Sequence, residues 1–154
     1  MQDIIVRILL DIANGLDALH KHGIVHGDLK MCNVMLVSDQ SDLKGFKAKV
    51  CDAGLIPLLD LTQTHASTRH HARLTCLPPE FIKKDENSNA MDVYMFSMVM
   101  YKLWTRVRPF RGMDLSTFFH KVIEGEERPK IPEDIPQGLA KLMTSCWASD
   151  PTQR

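Results

Sequence analysis

The chain has 154 residues, a length that suits one domain or a piece of a larger one. Its 19 Lys and Arg balance its 19 Asp and Glu, so net charge gives no pull towards nucleic acid or an anionic membrane surface. The 44% apolar content suits a packed core and argues against disorder.

Residues 4–22 read as a helix, because Ile4, Ile5, Ile8, Leu9, Ile12, Leu16 and Leu19 recur at three- and four-residue spacing. Gly23 stops it, and His20, Lys21 and His22 put positive charge at its carbonyl end. Ile24 and Val25 are a short strand at best. A hairpin follows: residues 34–37 form one strand, SDQSDLKG supplies the turn, and residues 47–51 return with Ala48 and Val50 alternating against lysines. Antiparallel pairing would bring Asn33, just before the first strand, beside Asp52, just after the second. Residues 53–77 look irregular, and a loop of that length inside a compact domain is usually functional or disordered.

Residues 91–105 are apolar nearly all round and predict a buried helix, ended by Arg108-Pro109. Its apolar run, bracketed by Asp92 and Lys102, is too short to span a bilayer. A shorter helix over 116–124 closes at Gly125, and Pro129, Pro132 and Pro136 stiffen the connection beyond it. The last helix places Leu139, Leu142, Met143, Cys146 and Trp147 on one face. The fold class expected from these elements is α+β, mainly helical. Cys32, Cys51, Cys76 and Cys146 form no CxxC pair, which fits reduced thiols in an intracellular, cytoplasmic setting. Met1 is followed by QDIIVR, with neither the basic flank nor the cleavage site of a signal peptide.

The polar stretch HGDLKMCN (26–33) gathers His26, Asp28, Lys30 and Asn33 between two apolar elements. Taken singly, Asp28 and Asn33 read as turn caps and Asp52 as an exposed loop acid. Together with Lys30 they read as a site. HGDLKMCN followed by CDAG resembles the catalytic loop and metal-binding turn of protein kinases, HRDLxxxN and DFG. Further matches follow the family's order. DIANGLDALHKHGIVH resembles the helix leading into that loop, and LPPE the APE that closes the activation segment. DVYMFSMVMYKLWTRVRPF resembles the family's buried helix, and CWASDPTQR the late CWxxDPxxR element of the tyrosine-kinase-like group.

The resemblance implies phosphoryl transfer from ATP, with Mg²⁺, to a protein substrate, and no nucleic-acid partner. It makes Asp28 the group that accepts or orients the substrate hydroxyl proton, and it brings Lys30 to the transferred phosphoryl group. Asn33 and Asp52 become the Mg²⁺ ligands, and Met35 lies against the adenine. Read from the residues alone, Met35 is core. His26 and Asp92 are implied to be structural, and Glu80 and Arg154 to form a buried ion pair. His65, His70, His71 and Cys76 match no zinc spacing and read as part of a basic loop.

Kinases carry a Gly-rich loop and a VAIK-type lysine ahead of the catalytic loop. Here 25 residues precede His26, their glycines are Gly15 and Gly23, and their one lysine is Lys21. The expectation is therefore a partial domain over 1–154: a kinase-like large lobe without the small ATP-covering lobe. Four positions depart from the pattern. Gly27 replaces the arginine of HRD, Ala53 the phenylalanine of DFG and Pro78 the alanine of APE, while Arg73 stands where serine/threonine kinases carry a threonine. Lys30 favours serine/threonine specificity, and Arg73 weakens that vote. A pseudokinase scaffold and a lobe-only interaction protein are the alternatives.

Overall fold

A computed structural model of the chain describes residues 2–41, 45–54 and 74–154. Helix α1 (Gln2–Lys21) buries Ile8, Leu9, Ile12 and Leu16. Ile4, expected on that face, is instead exposed, while Ile5 beside it packs against the core. Gly23 sits at φ +71°, the left-handed geometry that ends a helix with least strain in glycine. A 3₁₀ turn (Met31–Asn33) leads into strand β1 (Val34–Ser38), which pairs antiparallel with β2 (Phe46–Val50). Val34 faces Val50 and Ser38 faces Phe46, close to the expected register. Among the described residues this is the whole sheet, and Ile24 and Val25 form no strand.

Helix α2 (Pro79–Lys84) was not anticipated. Pro79 opens it, where the missing N–H costs nothing, and Asp85 closes it at φ +57°. Helix α3 (Asn89–Thr105) is the core: Met91, Tyr94, Met95, Met98 and Met100 are all enclosed. Each such side chain contributes roughly 1.5–3 kcal/mol by leaving water. Arg106, in a left-handed C-cap at φ +60°, ends α3 before the Arg108-Pro109 pair that was expected to stop it. Helix α4 (Leu115–Phe118) is capped by Asp114, whose carboxylate accepts from Thr117 N at 3.0 Å, and it runs on as a π-helical turn over Phe119–Glu124. Helix α5 (Gln137–Cys146) buries Met143 and Cys146 against α3 but leaves Leu142, expected on the same face, in solvent. No described helix is long and apolar enough to cross a membrane.

Two arginines fasten the helices around Tyr94. Arg154 forms a two-point ion pair with Glu80 of α2, and its Nε donates to Ala148 O at 2.8 Å. Arg128 Nε donates to Trp147 O at 2.9 Å. The Tyr94 ring has the two guanidiniums at 5.5 and 5.0 Å, within cation–π range. Its enclosed hydroxyl has no partner among the described residues, and burial pushes its pKa up to about 12.

Candidate active site

Everything in the 26–33 loop hangs from one carboxylate. Asp92, in the first turn of α3, is fully enclosed and accepts from His26 N at 2.7 Å and from Gly27 N at 2.8 Å. His20, in the last turn of α1, holds Asp92 Oδ2 through Nε2 at 2.7 Å. A buried carboxylate is tolerable only with such donors, and here they fix where the loop starts. Gly27 adopts φ +75°, which glycine enters freely and an arginine would enter at a cost. The residue that departs from the kinase pattern is thus the one best suited to this backbone.

The loop then turns back on itself. Asp28 N donates to His26 Nδ1 at 3.4 Å, and the Nε2 of that buried ring has no partner among the described residues. Lys30 Nζ forms an ion pair with Asp28 Oδ2. Asn33, buried at the head of β1, donates its Nδ2 to Asp28 O at 2.9 Å and to Asp28 Oδ2 at 3.3 Å. Cation and amide therefore meet at the carboxylate of the base candidate.

The hairpin brings up the remaining acid. Cys51 N donates to Asn33 O at 2.9 Å, so the pairing of the strands continues past β1 and β2 to set Asn33 opposite Cys51, one residue short of Asp52. Gly54 N donates to His26 O at 3.0 Å, tying the turn after Asp52 to the catalytic-type loop. Asp52 itself is exposed, at φ +60°, a conformation that Asp tolerates better than most residues.

The donor set can be tested for Mg²⁺ on its chemistry. Asn33 spends its amide N–H groups on Asp28, and its Oδ1 keeps only the weak Cys32 thiol contact at 3.7 Å among the described residues. The Asp52 carboxylate makes no hydrogen bond among the described residues. Two hard oxygens from adjacent chain segments, with no cluster of three or more His, Cys, Asp or Glu among the described residues, suit an ion that keeps most of its shell for water and phosphate. The residues fit.

Two expectations need correction or limits. Met35 is not core: it is 57% exposed, and Leu36 beside it is 58% exposed, because β1 has no described layer over it. Arg73, His65, His70 and His71 lie outside the described residues. Cys76 is placed, and it was not foreseen as a neighbour of the loop. Burial pushes its thiol up to about 11, and Lys102, Asp28 and Lys30 all act on it. The clamp of His20 on Asp92 also escaped sequence reasoning, since a histidine at a helix end is ordinary. Gly15 left a usable signal, a glycine inside a helical run.

The family profile described as protein tyrosine and serine/threonine kinase matches residues 1–154. The chain belongs to this kinase family. Among its relatives, the serine/threonine/tyrosine-protein kinase HT1 of Arabidopsis thaliana is 33% identical over 150 residues, 97% of this chain and 36% of that protein. The "Probable serine/threonine-protein kinase pats1" of Dictyostelium discoideum is 36% identical over 152 residues, 97% of this chain and 5% of its own length. The dual specificity protein kinase pyk3 of the same organism is 33% identical over 148 residues, 96% of this chain and 10% of its own. The chain thus spans about a third of HT1 and far less of the other two. Kinases named for serine, threonine and tyrosine all occur among these relatives, so the family leaves the acceptor hydroxyl open.

Proposed function

We propose that residues 1–154 are the large lobe of a protein kinase domain that transfers the terminal phosphoryl group of ATP to serine or threonine hydroxyls of a protein substrate, in an intracellular setting. The observation that carries this reading is the convergence of Lys30 and Asn33 on Asp28, in a loop pinned by Asp92. Asp28 takes or orients the proton of the attacking hydroxyl. Lys30, held on that carboxylate, offers its charge to the phosphoryl oxygens as they approach. Asn33 and Asp52 would hold Mg²⁺, which when bound offsets phosphate charge that two nearby carboxylates would otherwise repel. Met35, exposed on β1, is available to the adenine. The four cysteines are free thiols, which supports an intracellular setting.

The 154-residue chain alone is expected to be inactive, because it carries no glycine-rich loop or paired lysine to grip the nucleotide phosphates. The test therefore uses the full-length gene product, purified and supplied with ATP and Mg²⁺. Asp28→Asn should cut turnover while leaving nucleotide affinity nearly unchanged, since it acts at the hydroxyl. Asp52→Asn should abolish transfer by weakening metal binding. A second reading, a pseudokinase scaffold, draws on Gly27 and on Ala53, which supplies little of the packing of a DFG phenylalanine. Equal activity of wild type and Asp28→Asn would overturn the catalytic reading in favour of the scaffold.

A further inference from the structure

Gly15 stands inside α1, where glycine costs about 1 kcal/mol relative to alanine. Packing supplies a reason for it. A Cβ built on Gly15 would lie 2.9 Å from Val50 Cγ2 and 3.7 Å from Val50 Cγ1. Val50 is β-branched and stiff at χ1, so it cannot swing aside cheaply. Four residues earlier on α1, and so on the same face, Asp11 Oδ2 accepts from Ala48 N at 3.0 Å. The continuation of the ladder at Asn33 and Cys51 directs the amides of Ala48 and Val50 away from β1. Asp11 therefore satisfies an edge amide that would otherwise be open. The helix touches the hairpin at two points two residues apart on β2.

Those two points lead straight to the oxygen pair. Val50 is followed by Cys51 and Asp52, and it pairs with Val34, the neighbour of Asn33. Cys51 N then holds Asn33 O at 2.9 Å. A displacement of Val50 therefore moves Asp52 along the chain and pulls on Asn33 across the ladder, against the two hydrogen bonds that hold Asn33 to Asp28 in the loop that Asp92 anchors. We infer that Asp11 and Gly15 are positioning residues, which set where the Asn33 and Asp52 oxygens stand relative to Asp28 by fixing the seat of the hairpin on α1. The inference rests on the proposed metal role of Asn33 and Asp52, and it adds that α1 tunes it.

The test compares wild type, Gly15→Ala, Gly15→Ala/Val50→Ala, Asp11→Ala and Asp11→Asn in the 154-residue chain. Two readouts are used: NMR amide hydrogen exchange, and broadening of the Asn33 and Asp52 amide signals by added Mn²⁺. Gly15→Ala should lower protection of the Cys51 amide and weaken Mn²⁺ binding, the latter on the order of tenfold, as for other changes behind a metal ligand. Protection of the α3 core amides of Met98 and Val99 should be unchanged. Removing the Val50 methyls in the double variant should restore both readouts. A purely structural role for the glycine would instead make that second truncation an added loss. Asp11→Ala should expose the Ala48 amide and Asp11→Asn, which keeps an acceptor, should not. Wild-type protection at Cys51 in Gly15→Ala, or a double variant no better than the single one, overturns the inference. Should Gly15→Ala also lose protection across α3, the Asp11 pair decides: equal Ala48 exchange in the two variants overturns it. If wild type shows no Mn²⁺ broadening, and the full-length protein supplied with ATP shows none either, the proposed metal role fails, while amide exchange still decides whether α1 seats the hairpin.

Discussion

Replacing Asp92 with alanine is the sharpest test of how the catalytic-type loop is held. The substitution removes the acceptor for His26 N, Gly27 N and His20 Nε2 at once. The two amides are enclosed, and a buried N–H left without an acceptor costs about 1–3 kcal/mol, so the pair comes to roughly 2–6 kcal/mol. Breaking one side of a buried charge network costs about 3–5 kcal/mol by a separate reckoning. The two ranges overlap at about 3–5 kcal/mol, a large share of the ~5–15 kcal/mol that keeps a domain folded. For a chain of this size that lowers the melting midpoint by roughly 6–20 °C. Asp92→Asn keeps one acceptor oxygen and should lose about half as much. Urea unfolding followed by the fluorescence of the two tryptophans, Trp104 and Trp147, measures all three proteins. An Asp92→Ala chain within about 1 kcal/mol of wild type would refute the anchoring argument, because surface substitutions alone stay within about 0.5 kcal/mol.

Arg154→Ala should destabilise the chain by about 3–5 kcal/mol by leaving Glu80 charged and unpaired in the interior, and Arg154→Lys should recover only part of this, since an ammonium cannot make the two-point contact; the same urea titration checks both. With a thiol-labelling reagent at pH 7.5, exposed Cys32 should react first. Cys76 and Cys146 should lag, because burial pushes both thiols up to about 11 and so depletes the reactive thiolate until the pH approaches that value; mass spectrometry of partly labelled chains orders the sites. The isolated chain should also self-associate through the bare apolar strand β1, and Leu36→Lys should reduce this; unchanged light scattering across a concentration series would remove β1 as the cause.

The sequence by itself determined what repeats along the chain or is local to a few residues. The apolar spacing of Ile8, Leu9, Ile12 and Leu16 set the face of α1, and the turn chemistry between residues 38 and 45 set the hairpin. The order HGDLKMCN, CDAG, LPPE and CWASDPTQR carried the family, and with it the candidate residues Asp28, Lys30, Asn33 and Asp52. Burial was less legible: Ile4, Met35 and Leu142 are apolar and exposed, because whether a side chain is covered depends on what lies over its element and not on its own pattern. Pairings between distant residues were legible only through the resemblance, as with Glu80 and Arg154, 74 positions apart, or not at all, as with His20 and Asp92, 72 apart. Neither partner's own neighbours carry any sign of the other, and only the packing of helices against a shared core brings such groups to hydrogen-bond distance. The same holds for Gly15. Its cost to the helix was visible in the sequence, but its use was decided by the approach of Val50, a methyl group 2.9 Å from where a Cβ would stand.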